Sequence, residues 1–300
     1  MQITKLKQLI EEVKNKPNKR LVAAFPNDAH SIEAINEAVE LGLIDATLVG
    51  DLQKIKEVCQ KYNYDISKFE IINETVDNQA AAKAVELINN GKGDILMKGL
   101  ISTDKYMRAI LNKEKGLVPP KGILTHITIF ENPNYHKLLI ASDVAIIPFP
   151  DLKQKISIIN YLIKTAKALN IDNPKVAILA ATEQVSLAMQ STIDAAILSK
   201  MGERGQIKDA IIEGPLALDL AVDMESVELK GLKSEVAGDA DCLLFPNIEA
   251  GNVFYKTNTK LAKAEVGAIV AGAKVPCILS SRGDSAQTKL FSIALASLVS

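Results

Sequence analysis

Along the first hundred residues, the short apolar runs LVAAF (21–25), ATLVG (46–50), FEIIN (69–73) and DILMKG (94–99) are separated by longer stretches where apolar residues recur every three or four positions. Short runs predict buried strands and the helical period predicts the segments between them, so the pattern reads as βαβ units in a parallel sheet covered by helices. Asp77 is placed to cap a helix through AAAKAVELINN, with Gly91 just past its end. The stretch THITIFENPNYHKLLIASD (125–143) breaks the rhythm: two strand-like runs flank ENPN, which predicts a hairpin or a domain crossover. Beyond it the alternation resumes, with a strand over VAIIPF (144–149), a long helix over 152–170, and strands within VAILAA (176–181), KDAIIEGP (208–215) and DCLLFP (241–246). The apolar helix after Lys289 completes the first domain. The expected organisation is therefore a first α/β domain of residues 1–124 plus 274–300, and a second, inserted α/β domain of residues 125–273.

Composition narrows the class. A chain of 300 residues with 48% hydrophobic content buries a large core. Thirty-five basic and 36 acidic side chains are interspersed, so there is no basic stripe to neutralise a phosphodiester backbone, and nucleic acid is excluded as a partner. Aromatic residues make up 4% and tryptophan is absent, which removes stacking platforms and favours a small charged substrate. Cys59, Cys242 and Cys277 are far apart and lack CxxC spacing, which points to a reducing compartment and to no zinc site. Glu11 and Glu12 interrupt the first helix where a signal peptide needs an apolar core. The longest apolar stretch, VGAIVAGAKVPCIL, is broken by Lys274 and Pro276 and falls short of the roughly 20 residues that span a bilayer. A cytoplasmic protein without a membrane partner is expected.

In open parallel sheets ligands sit at the carboxyl ends of strands, so the polar residues just after each apolar run carry the candidate chemistry. SSRGDS follows PCIL and opens the last helix. Its first-turn amides, the Ser281 and Ser285 hydroxyls and the Arg282 guanidinium would make an anion site suited to phosphate, the alternative being a plain helix cap with Arg282 on the surface. IEAGNVFYK sets Gly251 and Asn252 at another strand-to-helix junction, with Lys256 one turn on. Glu183, after VAILAA, is expected at the start of a helix, where it is either a ligand contact or a dipole partner. Lys98 ends the DILM strand as an anion ligand or a surface lysine, and Arg108 follows on a helix. His126 and His136 flank the crossover. The chain contains no GxxxxGK[ST], HExxH or GxSxG, so phosphate-loop ATPase, zincin and serine hydrolase readings lack support.

Taken together, PKVAILAATEQV, EGPLALDLAV, VAGDADCLLFPNIEAGNVFYK and VPCILSSRGDSAQTKLFSIALA resemble blocks of the phosphate acetyl/butyryltransferase family, most densely from Pro174 onward and nearest its butyryltransferase branch. The resemblance implies an isocitrate/isopropylmalate dehydrogenase-like fold, two α/β domains with mostly parallel sheets and a cleft between them. It implies reversible transfer of a short acyl group, butyryl or branched-chain, between coenzyme A and inorganic phosphate by direct thiolate attack in a ternary complex. Coenzyme A is then a co-substrate, acyl-CoA, acyl phosphate and inorganic phosphate are the small-molecule partners, and no metal or covalently bound cofactor is implied. A homodimer or higher homo-oligomer is implied as well.

Carried over by motif, Ser281 and Arg282 hold the phosphate and polarise the acyl carbonyl. Ser285, Gly251, Asn252, Lys256 and Glu183 are assigned to the phosphate and acyl group, and Lys98, Arg108 and Gln287 to coenzyme A. In the acetyl branch an aspartate follows the glutamine of this motif and is taken to deprotonate the CoA thiol. Here Thr288 follows Gln287, and Asp284 becomes the candidate base. Three alternatives stay open. They are a phosphate acetyltransferase, a metal- and NAD-dependent β-decarboxylating dehydrogenase whose aspartates would be Asp219 and Asp223, and a protein that holds CoA or phosphate without turnover.

Overall fold

The computed structural model describes residues 2–281 and 283–300. They form two compact units, one of Lys7–Leu124 and Gly267–Ser300, the other of the residues up to Leu6 together with Thr125–Val266. Among the described residues the strands are, in chain order, β1 (Lys19–Ala24), β2 (Ile44–Gly50), β3 (Phe69–Asn73), β4 (Ile95–Lys98), β5 (Thr125–Glu131), β6 (Leu139–Ser142), β7 (Lys175–Leu179), β8 (Ile211–Leu216), β9 (Cys242–Leu244), β10 (Glu265–Ala271) and β11 (Cys277–Ile278). This is a mixed α/β fold with mostly parallel strands. No helix among the described residues is long and apolar enough to cross a membrane.

In the unit that contains the C-terminus the strand order is β3-β2-β1-β4-β11-β10. Every pair is parallel except β10 with β11. Each of the four apolar runs read from the sequence supplies most of a strand. β1 stops at Ala24 because Phe25 takes a left-handed backbone, φ 58°. Asp77 is the first residue of the helix Asp77–Asn89 rather than its cap: Val76 occupies the cap without a side-chain bond, while the Asp77 carboxylate takes the Lys105 ammonium at 2.7 and 2.8 Å. Gly91, at φ 69°, does lie just past the end of that helix.

The last helix, Ala286–Val299, is apolar almost all round, and Leu290, Phe291, Ile293, Leu295 and Val299 are buried. A helix without a polar face belongs in a core. Its serines fit because Ser292 and Ser297 return their hydroxyl protons to the carbonyls of Thr288 (2.8 Å) and Ile293 (2.9 Å). Ser292 Oγ also accepts the Ala268 amide of β10 at 3.0 Å, which ties the helix to the sheet. Burial of this kind contributes about 1.5–3 kcal/mol for each large apolar side chain, so the start of the helix is held on a rigid support.

In the other unit the order is β5-β6-β9-β7-β8, with β5 and β6 the antiparallel pair on either side of ENPN and the rest parallel. The hairpin reading of 125–143 is what forms. The strand expected over VAIIPF does not form, and the run is irregular. Asp143 supplies the reason. Its buried carboxylate accepts the amides of Ala145 (2.8 Å), Ile146 (2.9 Å) and Ile147 (3.1 Å), together with the Thr125 hydroxyl (2.9 Å). Those amides would otherwise enter a ladder, and a side-chain acceptor at short range wins them for a turn. The helix expected over 152–170 runs from Leu152 to Ala168, opened by a capping box between Asp151 and Gln154.

Candidate active site

In the unit with the terminal helix, the parallel register pairs Cys277 with Leu96 and Ile278 with Met97, so β4 and β11 end side by side. Gly99 lets the chain turn there, since a Cβ at that position would overlap the Phe25 carbonyl. Lys98 is buried, 2% exposed, and its ammonium donates to the carbonyls of Gly99 and Ser280, each at 3.2 Å. It therefore ties the carboxyl ends of two strands together directly beneath the SSRGDS segment.

That segment folds back on itself. The Ser281 amide donates to Asp284 Oδ2 at 2.6 Å, the Asp284 amide to the Ser281 carbonyl at 3.2 Å, and the Gly283 amide to Ser281 Oγ at 3.3 Å. Ser281 Oγ thus accepts from the loop, which leaves its own proton to donate outward. Among the described residues no donor reaches Asp284 Oδ1. Ser285 caps the helix: its hydroxyl oxygen accepts the Thr288 amide and lies 3.1 Å from Thr288 Oγ1. Gln287 is exposed in the first turn. Arg282 lies outside the described residues.

Lys289, in the same turn, was not singled out from the sequence, where a lysine four residues after a capping serine looks like an ordinary surface charge. It is 2% exposed, and its ammonium donates to the Asp284 carbonyl at 3.4 Å. Arg108 stands on the helix Thr103–Ile110 with most of its side chain in solvent, and its ion pair is with Asp104 at 3.1 Å within that helix. Among the described residues the structure therefore brings Ser281, Asp284, Ser285, Lys98 and Lys289 into one cluster, and the partner of Arg108 is Asp104 rather than a member of it.

In the other unit, Asn247 caps the helix Ile248–Lys256 by accepting the Ala250 amide at 2.9 Å. Gly251 and Asn252 lie inside this helix rather than at its junction with β9, a correction to the sequence reading. The Asn cap acts four residues before Gly251, because Asn247 competes better for first-turn amides than glycine does. Gly251 packs against the Asp143 carbonyl so closely that a Cβ would overlap it. The Asn252 amide donates to the Val144 carbonyl at 3.1 Å. The Asp143 turn and the helix carrying Asn252 are thus one assembly, in which neither Asp143 nor Thr125 was foreseen. Lys256 is exposed, its ammonium 5.2 Å from the centre of the Tyr255 ring.

Glu183 also departs from expectation. The next helix starts only at Gln190, and the segment before it is irregular, with Thr182 Oγ1 accepting the Gln184 amide and Ser186 Oγ the Ala188 amide. Local hydroxyl acceptors here compete with helix formation. Glu183 faces Lys230 at 3.4 Å. Asp223 caps a helix through the Ser226 amide and hydroxyl, and Asp219 lies 3.9 Å from Lys230.

His136 Nε2 lies 2.8 Å from Asp239 Oδ1, within a network that includes Lys137 and Lys175. Buried His126 lies 3.3 Å from the Thr128 hydroxyl. The three thiols are buried, and burial raises each of them above its ordinary range. For Cys277 the thiol is pushed up to about 12, so at neutral pH it is protonated and a poor nucleophile.

Comparison with known proteins gives a consistent answer. The family described as phosphate acetyl/butaryl transferase matches residues 70–297. A phosphate butyryltransferase of Clostridium acetobutylicum is 46% identical over 297 residues, 99% of this chain and 98% of the relative. A phosphate acetyltransferase of Rhizobium meliloti is 42% identical over 277 residues, covering 92% of this chain and 87% of the relative. Among solved structures, a branched-chain phosphotransacylase from Enterococcus faecalis superposes with a TM-score of 0.80 at 27% identity, over 93% of this chain and 99% of the other.

Proposed function

The chain belongs to the phosphate acetyl/butaryl transferase family, and on that premise we propose that it transfers a short acyl group reversibly between coenzyme A and inorganic phosphate: acyl-CoA plus phosphate gives acyl phosphate plus CoA. Butyryl or a branched short chain is the proposed acyl group. The observation that carries this reading is the turn after β11, where amide and hydroxyl groups of Ser281, Gly283, Asp284 and Ser285 gather, with the buried Lys289 ammonium on the Asp284 carbonyl and the buried Lys98 ammonium on the carbonyl of Ser280 just before it.

In the direction of acyl-CoA synthesis, the CoA thiolate attacks the carbonyl carbon of acyl phosphate. The C–S bond forms, the C–O bond to phosphate breaks, and phosphate leaves with the electron pair. Negative charge develops on the carbonyl oxygen in between, and a well-placed donor there contributes about 3–4 kcal/mol. Ser281, whose hydroxyl oxygen accepts the Gly283 amide and whose proton can donate to a ligand, and Arg282 are the proposed donors. A free thiol with a pKa near 8.5 needs only about 2 kcal/mol of help to be half ionised at neutral pH. Asp284 Oδ1 is the proposed acceptor of that proton. Direct transfer requires no enzyme nucleophile, in keeping with three protonated, buried thiols.

Ser285, Gly251, Asn252, Lys256 and Glu183 remain proposed contacts of the phosphate and acyl group, and Lys98, Arg108 and Gln287 of coenzyme A. The proposal extends to an isocitrate/isopropylmalate dehydrogenase-like fold class, a homo-oligomer and a cytoplasmic location. The test is a panel of acetyl-, butyryl- and isobutyryl-CoA assayed for thiol release with phosphate, and with arsenate in its place. Release that depends on either oxyanion and is fastest with the four-carbon chains is the expected result, and no oxyanion-dependent release with any thioester would overturn it.

A further inference from the structure

We propose that Lys289, together with Lys98, supplies the positive charge that receives the phosphate group in the reaction proposed above. The inference rests on that reading and adds to it a charge-bearing residue not foreseen from sequence.

Two other buried ammonium groups of this protein are neutralised in place. Lys155 is buried and pairs with Asp194 at 2.6 Å. Lys137 is buried and pairs with Asp239 at 2.9 Å and Asp241 at 2.6 Å. Each of these two buried cations has a carboxylate, as the desolvation of a charge demands.

Lys289 departs from that rule. It is 2% exposed, yet its hydrogen-bond acceptor is a single neutral carbonyl, that of Asp284, at a long 3.4 Å, and among the described residues no carboxylate forms an ion pair with it. Its position makes matters worse. It is the fourth residue of a 14-residue helix, where the backbone already carries the positive end of the dipole and a cation is disfavoured. A buried, unneutralised ammonium at the wrong end of a helix is a poor choice for stability, and such a group is retained where an anion arrives to offset it.

Geometry identifies the anion. Lys98 contacts the Ser280 carbonyl and Lys289 the Asp284 carbonyl, so the two ammonium groups bracket the stretch that presents Ser281. Two fixed positive charges beside hydroxyl and amide donors match a compact dianion such as orthophosphate, or the phosphoryl end of acyl phosphate. The phosphates within coenzyme A share that chemistry, and the experiment separates the two sources.

The test compares wild type with Lys289→Met, which keeps the length and apolar stem of the side chain, and Lys289→Arg, which keeps the charge. Thermal unfolding is followed with and without inorganic phosphate, and KM is measured separately for phosphate and for acyl-CoA. Expected for Lys289→Met are an unliganded Tm equal to or above wild type, loss of the stabilisation by phosphate, and a KM for phosphate raised roughly tenfold or more, the loss of one charge-assisted contact. Its KM for acyl-CoA should stay near wild type, and Lys289→Arg should lie between the two.

The inference is overturned if Lys289→Met keeps both its phosphate stabilisation and its KM for phosphate. It is also overturned if the rise in KM is confined to acyl-CoA, or if Lys289→Met fails to fold where Lys289→Arg folds, since the cation would then be stabilising the free protein. A wild-type protein without oxyanion-dependent thiol release would instead overturn the proposed function, whatever the variants do.

Discussion

Asp284 is asked to do two things, and a pair of substitutions separates them. Oδ2 shapes the loop by accepting the Ser281 amide at 2.6 Å, and Oδ1 is the proposed base. A hydrogen bond to a charged group contributes about 1.5–3 kcal/mol, and because this loop is open to solvent the lower end applies, roughly 10- to 30-fold in rate. The base is worth a different amount. A thiol of pKa near 8.5 is about 3% ionised at pH 7, so loss of the base costs at most roughly 30-fold there and little by about pH 8.5.

Asp284→Asn keeps an oxygen to accept the Ser281 amide but cannot take a proton. Asp284→Ala loses both functions. In an assay of thioester formation from butyryl phosphate and CoA, kcat/KM for CoA of Asp284→Asn should fall by up to roughly 30-fold at pH 7 and converge on wild type toward pH 8.5. Asp284→Ala should fall further and stay roughly 10- to 30-fold low at the higher pH. Equal activity of the two variants at pH 8.5 would refute the loop-shaping role. An Asp284→Asn enzyme indistinguishable from wild type at pH 7 would refute the role as base.

Three other substitutions test the scaffold. Gly251→Ala forces a methyl group against the Asp143 carbonyl and should lower stability in urea by about 1–3 kcal/mol; an unchanged midpoint would contradict the close approach. Replacing Cys59, Cys242 and Cys277 together by alanine should leave turnover within a few-fold while lowering Tm, because the thiols fill the core, and an acyl-cysteine trapped in mass spectra would count against direct transfer. Burial pushes the Asp239 carboxyl upward, but hydrogen bonds from Lys175, Lys137 and His136 outweigh it and hold the group well below the usual carboxylate range. A depressed carboxyl contributes stability that is present above its unfolded pKa and lost as pH falls toward its folded one. Asp239→Asn should therefore be less stable than wild type at neutral pH and approach it on acidification below about pH 4; parallel stability curves would show that the network is not what acid disrupts.

The strands could be read from the chain because their signal is local. A run of apolar residues long enough for a strand and too short for a helix, as in FEIIN, has few other ways to bury itself, and β3 spans Phe69–Asn73. The same holds for the polar loop after PCIL, since Ser285 caps a helix by bonding an amide three residues on. VAIIPF has the same composition as a strand and is not one, because the preceding Asp143 captures its amides. Nothing in a count of apolar residues weighs that competition. Glu183 fails for the same kind of reason, with Thr182 and Ser186 hydroxyls drawing the chain away from a helix.

The candidate site divides along the same line. The sequence alone determined the alternation of strand and helix, the polar turns at strand ends, and the likeness of its blocks to one family, for these depend on residue type and spacing. Only the tertiary structure decided what each charge is worth. Lys98, Lys289 and Arg108 are all basic residues beside polar turns or on helices in the sequence, yet two are buried under one loop and the third stands in solvent beside Asp104. Electrostatic energy depends on distance and on exclusion of water, and both are set by contacts between residues far apart in the chain.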